Sequence, residues 1–371
     1  MSILFSPITL GPVTLPNRIV IAPMCQYTSE DGLANDWHLI HLGHMALSGA
    51  GALIIEATAV EDIGRITPGC LGLWSDATEA ALGRVMKSVR AYATPMPILI
   101  QLAHAGRKAS SRSPWDGGSL QLPEDGGWRP MAPSAIPHLP DEPAPIEMTR
   151  ADMDRVREAF VTAAIRSARL GFDGIELHGA HGYLMHQFLS PLANHRTDAY
   201  GGSLENRMRF PLEVFDAVRA VLAPNMTLGV RISAIDWVEG GQTIEDSIAF
   251  TLALKARGCD FIHVSSGGVS PLQKIAAGPG YQVHLAQQIK QATGVPTIAV
   301  GMITEPAQAE EIIASGKADM VALARGMLYD PRWPWHAAAE LGAQVEAPRQ
   351  YWRSQPRGLG KLFGDVRTGG R

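Results

Sequence analysis

Cysteine is scarce. The 371 residues contain three, Cys25, Cys70 and Cys259, far apart and without a CxxC spacing. That argues against a disulfide framework, a structural zinc site or a four-thiolate iron–sulfur cluster, and it fits a reducing compartment. Long apolar runs are missing, and the N-terminus "MSILFSPITLGPVTLPNR" has no basic start. Neither a membrane span nor a signal peptide is therefore expected, and cytoplasm is the default location. Basic clusters are missing too: 32 Lys and Arg are dispersed among 36 Asp and Glu, for a formal net charge of -4. No nucleic-acid or other polyanionic partner is expected. No GxGxxG turn follows an early strand, which counts against a doubly wound dinucleotide fold.

What is present is a rhythm. The chain is 46% hydrophobic, enough for a large core. Short apolar, β-rich runs alternate with amphipathic stretches and Gly or Pro punctuation. The strand candidates are "RIVIAPM" (18–24), "ALIIEATAV" (52–60), "PILIQLAHAG" (97–106) and "GIELH" (174–178). "LGVRIS" (228–233), "FIHVSS" (261–266), "TIAVG" (297–301) and "MVALAR" (320–325) follow. Continuous apolar runs suit strands buried on both faces of a parallel sheet. Helices are expected over 36–49, 77–92, 149–170, 204–222, 243–257, 281–293, 305–315 and 331–341, with Ser75 or Asp76 and the "NDWH" segment as caps. The alternation predicts a single α/β domain over 1–342, a (β/α)₈ TIM barrel. Residues 107–148, rich in Pro, Gly and Ser, interrupt it as a long loop after strand three. A tail over 343–371 has little periodicity, and its end reads as mobile.

Barrel chemistry sits at the C-terminal strand ends. Those ends carry Pro23, Met24, Cys25 and Tyr27, then Ala57, then Gln101 and His104. Strand four delivers His178, His181 and Tyr183, strand five Arg231, strand six Ser265 and Ser266, strand seven Gly301, and strand eight Arg325 and Gly326. Gly301 with Arg325 and Gly326 suggests an anion site, against the blander reading of turn punctuation plus a surface Arg. Arg231 in an apolar run is costly unless paired. It either bridges to Glu56 or Glu176 or faces negative charge in a ligand. His178 and His181 could hold a metal, with Glu176 on the same strand face. They could also act as an acid–base pair, grip a substrate oxygen, or satisfy buried backbone. His38, His41 and His44 read as a helix packed on the barrel, and Cys70 and Cys259 as core.

The segments "NRIVIAPMCQYTSEDGLANDWH", "GRITPGCLGLWSD", "IQLAHAGRKAS", "HGAHGYLMHQFLSPLANHRTDAYGGSLENRMRF", "VSSGG" and "AVGMITEPAQAEEI" together resemble the old yellow enzyme family of FMN-dependent ene-reductases. The "MCQY" and "GRITPG" segments are similar to its xenobiotic reductase A type, which carries a cysteine on the first strand. The resemblance spans roughly residues 3 to 342. It implies non-covalent FMN over the barrel mouth, flanked by backbone at Pro23, Met24 and Ala57. Gln101 would bond the pyrimidine edge, Arg231 would face N1, and Gly301, Arg325 and Gly326 would hold the phosphate. His178 and His181 would bind the oxygen of an unsaturated carbonyl or nitro compound, Tyr183 would donate the proton, and Tyr27 would help bind that oxygen. Cys25 would touch the flavin and tune it. Arg353, in "APRQYWRSQP", would reach into a neighbouring subunit of a homodimer or homotetramer. The implied activity is NAD(P)H-dependent C=C reduction with ping-pong kinetics, NADPH serving as hydride donor. The alternatives are a metal-dependent barrel hydrolase and a dienoyl-CoA reductase-like flavoprotein.

Overall fold

The computed structural model describes residues 2–366. Eight strands close into a barrel, each parallel to its neighbours. In chain order they are Ile19–Ile21, Ala52–Ala59, Ile98–Ala103, Gly174–Gly179, Thr227–Ser233, Phe261–Ser265, Thr297–Ala299 and Met320–Leu323. They are the strands expected from sequence, several of them shorter. The first stops at Ile21, ahead of Pro23, which has no N–H to give a ladder.

Alternation along these strands sorts the side chains. Ile19, Ile21, Leu53, Ile98, Ile100, Ile175, Leu177, Val230 and Val264 belong to the main cluster that helices cover. Val20, Ala52, Ile54, Leu99, Phe261, Ile298 and Met320 form a second cluster, joined by Leu10, Val13 and Leu15. Those last three come from an antiparallel hairpin, Ile8–Leu10 with Val13–Leu15, packed on this inner cluster. The hairpin was not expected; its three-residue strands are too short to leave a periodic signal. Further along the same strand faces, apolar residues give way to Gln101, Glu176 and His263, and then to His178, Arg231 and Ser265. The register pairs Gln101 with Glu176, and Arg231 with both His178 and His263.

The outer helices follow their caps. Asn35, Ser75, Thr149 and Thr243 each close a capping box at the start of a helix. Helix Arg150–Arg169 buries Met153, Val156, Phe160, Ala163, Ala164 and Ser167, one stripe at three- and four-residue spacing. Two short helices were not foreseen, Leu184–Leu189 after strand four and Arg325–Tyr329 after strand eight. The long loop is built of 3-10 turns, Gly106–Lys108, Pro114–Asp116 and Pro123–Asp125, plus a small pairing of Met131–Ala132 with Ile146–Glu147. Part of the tail is anchored: Leu362 and Phe363 are buried with Ala338, Val345 and Ala347, and Phe5 packs against them. Residues 367–371, the last of the segment read as mobile, lie outside the described residues.

Candidate active site

Strand four sends His178 inward and then turns sharply. His181 and Gly182 both adopt left-handed backbone, with φ of 58° and 73°. A Cβ on Gly182 would sit 2.2 Å from the Gly268 carbonyl, so only glycine lets this turn press against the end of strand six. The result is a compact trio. The His178 ring lies 5.2 Å from that of His181 and 4.9 Å from that of Tyr183, both edge to face.

The two imidazoles are neutral and their rings are fixed by hydrogen bonds. His178 Nδ1 accepts from the Ala180 N–H at 3.3 Å, which leaves the ring proton on Nε2. His181 Nε2 shares a 2.7 Å hydrogen bond with Ser265 Oγ, and its backbone N–H donates to Ser233 Oγ. Burial first, and the Arg231 charge second, hold both rings well below the usual histidine range. Burial also raises the Tyr183 phenol well above its usual value, so it is a protonated hydroxyl at neutral pH.

Strand two contributes a correction in register. The ladder shifts between Ile55 and Ala57, a bulge around Glu56 that brings Ala57 opposite Gln101. Glu56 Oε2 accepts from the Gln26 N–H at 3.0 Å and fixes the segment carrying Pro23, Met24, Cys25 and Tyr27. Tyr27 has a φ of 54° and meets the Trp115 ring of the long loop at 5.7 Å. The neighbouring Cys70, and then burial, push the Cys25 thiol up, so it is a neutral thiol rather than a nucleophile. Cys70, read from sequence only as core, is thus also the neighbour of Cys25.

The inner polar layer departs from expectation. Gln101 Nε2 donates to Glu176 Oε1 at 2.7 Å, and His263 Nδ1 lies 2.8 Å from Glu176 Oε2. Glu176, the carboxylate considered as a third metal ligand, is therefore committed to two neighbours. Among the described residues no three His, Cys, Asp or Glu side chains are grouped to hold a metal ion. Glu176 and Glu56 were also the two candidates for pairing with Arg231. Neither does: Glu176 engages Gln101 and His263, Glu56 engages Gln26 and His38, and Arg231 Nε is buried without a partner among the described residues. A buried cation with an unused N–H is costly unless a ligand supplies an acceptor.

A cleft of about 470 Å³ opens beside Arg231. Gly301, Met302, Arg325, Gly326, Ser265 and Tyr281 are among its walls, which brings the ends of strands five to eight into one space. Gly301 takes a φ of 119°, and a Cβ there would meet Gln282 Nε2 at 2.8 Å. An unpartnered guanidinium at one side and a glycine-lined, arginine-bearing wall at the other fit an anionic ligand such as FMN. Arg325→Ala is therefore expected to weaken FMN retention; a variant that purifies fully loaded with an unchanged dissociation constant would break the assignment. Arg353 stands apart, exposed in the turn Arg349–Ser354 and absent from the residues lining this cleft.

Comparison with known proteins identifies the family. Residues 3–344 match the NADH:flavin oxidoreductase / NADH oxidase family. An NADPH dehydrogenase of Geobacillus thermodenitrificans is 45% identical over 354 residues, covering 95% of this chain and 98% of that protein. The structure of morphinone reductase in complex with tetrahydroNAD is similar at a TM-score of 0.74 and 30% identity, over 93% of this chain and 92% of the other. The old yellow enzyme homologue from Zymomonas mobilis aligns with a TM-score of 0.73 and 25% identity, over 96% of this chain and 98% of the other. With a continuous match over nearly the whole barrel and a cleft suited to the flavin, this chain belongs to the NADH:flavin oxidoreductase / NADH oxidase family and is an FMN-dependent oxidoreductase.

Proposed function

We propose that this enzyme reduces the C=C bond of α,β-unsaturated carbonyl or nitro compounds, with NADPH as the hydride donor and both substrates using one site in turn. The observation that carries the reading is the trio at the end of strand four: two neutral imidazoles and a protonated phenol, with the His178 ring centroid 5.2 Å from that of His181 and 4.9 Å from that of Tyr183. Bound FMN supplies the hydride-accepting and hydride-donating chemistry. Arg231 and the strand-seven and strand-eight ends would hold and charge-balance it, and Gln101 and backbone at Pro23, Met24 and Ala57 would serve its ring. His178 and His181 donate to the carbonyl or nitro oxygen. As the alkene takes up hydride at its β-carbon, charge builds on that oxygen, and two fixed donors stabilise it. Tyr183 gives the α-carbon its proton. Tyr27 adds a further hydroxyl, and Cys25 modulates the flavin as a neutral thiol.

Arg353 is assigned to the active site of a second copy in a homodimer or homotetramer; its exposure is what supports this. The barrel acts as a single domain. No described helix is long and apolar enough to cross a membrane, and the free thiols of Cys25, Cys70 and Cys259 suit a cytoplasmic setting. Anaerobic stopped-flow mixing tests the main reading. Enzyme reduced by one equivalent of NADPH should regain oxidised-flavin absorbance on mixing with 2-cyclohexenone or a nitroalkene, and parallel-line steady-state kinetics should accompany it. Reoxidation by oxygen alone, with no response to either acceptor class, would refute the proposal.

A further inference from the structure

Lys108 has no part in the chemistry described so far. It ends the turn Gly106–Lys108, where the long loop begins. Its Nζ donates to the His181 carbonyl at 2.9 Å and to the Gly268 carbonyl at 3.0 Å. It also stands 5.0 Å from the centre of the Tyr183 ring. Its neighbour Arg107 makes a parallel reach, donating to the Val269 carbonyl at 2.6 Å. Lys108 thus ties the strand-four turn to the segment after strand six, and Arg107 adds a second link to that segment from the same turn. The glycines there leave no slack, since a Cβ on Gly268 would lie 2.5 Å from the His181 Cα.

We infer that Lys108 is a positioning residue of this site: its ammonium braces the His181 turn and places a positive charge over the Tyr183 ring, easing release of the phenolic proton. The inference rests on Tyr183 being the proton donor. Once Tyr183 gives up its proton, a phenolate is left in a place where burial already disfavours it. A positive charge 5.0 Å from the ring centre attracts that phenolate and lowers the cost of forming it.

The charge is itself titratable. Burial, and then the Arg107 charge, push Lys108 down to about 8. The groups facing it do not change charge nearby. Arg107 on its own turn is lowered only to about 10, and His138 of the long loop lies at about 4. His178 and His181 are already neutral, and Tyr183 is raised. A lysine lowered to about 8 is charged below that pH and neutral above it. Its help should be present at pH 7 and fade as pH rises through 8.

The test is the rate at which an enone reoxidises the reduced holoenzyme, followed from pH 6.5 to 9.5 (an interval set by the value of about 8 for Lys108). The wild type should slow by about tenfold across this range. Lys108→Arg, which keeps its charge, should stay level, and Lys108→Met should be slow and level. Reoxidation by oxygen should show no such step. A flat wild-type profile would overturn the inference without needing any variant to fold, and so would a Lys108→Arg profile that falls like the wild type. A double-mutant cycle separates this idea from the one beneath it. In a Tyr183→Phe background, Lys108→Met should cost little more. A full additional loss there would refute action through Tyr183, whereas a Tyr183→Phe enzyme that reoxidises at the normal rate would remove the proton-donor reading itself.

Discussion

Tyr183→Phe should split the catalytic cycle in two. Reduction by NADPH needs no proton from this hydroxyl and should keep nearly its full rate. Reoxidation by an enone should slow by up to ~10²–10⁴, the range for a lost general acid, with smaller losses where water takes over as donor. Reoxidation by oxygen should be nearly unchanged. The structure favours so confined an effect. Tyr183 starts the helix Leu184–Leu189, and the hydrogen bonds that hold its turn come from the backbone and from Lys108, Ser233 and Ser265. Removing the hydroxyl leaves them in place. Stopped-flow traces at the flavin band would show one slow phase and one normal phase; equal slowing of both phases would mean disturbed packing, and the proton-donor role would have to be abandoned.

His178→Ala should retain FMN yet reduce enones about 10²–10³ more slowly, the usual cost of one oxyanion donor. Phenols, which mimic the substrate oxygen, should bind more weakly to the oxidised enzyme. The variant tests geometry more than charge, because the ring is neutral and contributes an Nε2 proton fixed by the Ala180 N–H on its other nitrogen. Activity of the wild type should be indifferent to EDTA. Inactivation by EDTA that zinc reverses would transfer His178 and His181 from substrate binding to metal binding.

The barrel was legible because its strands are buried on both faces and so read as unbroken apolar runs. Its inner chemistry was legible as intrusions into those runs: Gln101, Glu176 and Arg231 each interrupt one. His263 interrupts another but passed unnoticed, since a lone histidine in an apolar strand resembles any satisfied core residue. What the intruders do to one another was not legible. Gln101 and Glu176 sit 75 positions apart and meet only through strand register. Nor could the sequence reveal Cys70 beside Cys25, or the reach of Lys108 to carbonyls 73 and 160 positions away. Residues 107–148 were recognisable as an insertion from their Pro, Gly and Ser, but 3-10 turns have no side-chain period that would give their path. Arg353 is a different case. Its expected partner is another copy of the chain, and a single chain offers nothing to dock it against.

Phe5 packs against the small cluster that contains Leu362 and Phe363, and Phe363 stacks edge-on to Trp335 at 4.9 Å. The opening and closing stretches of the described chain therefore share one patch of core. A gene could be rewired accordingly: a short flexible linker would join the two stretches, and new ends could be cut at the exposed Gly117 and Gly118, where a side chain would meet no neighbouring atom. Such a circular permutant would carry all eight strands in a new order along the polypeptide with the flavin cleft unaltered. It would turn the long loop, now an internal crossing, into a pair of free arms at the mouth of the barrel.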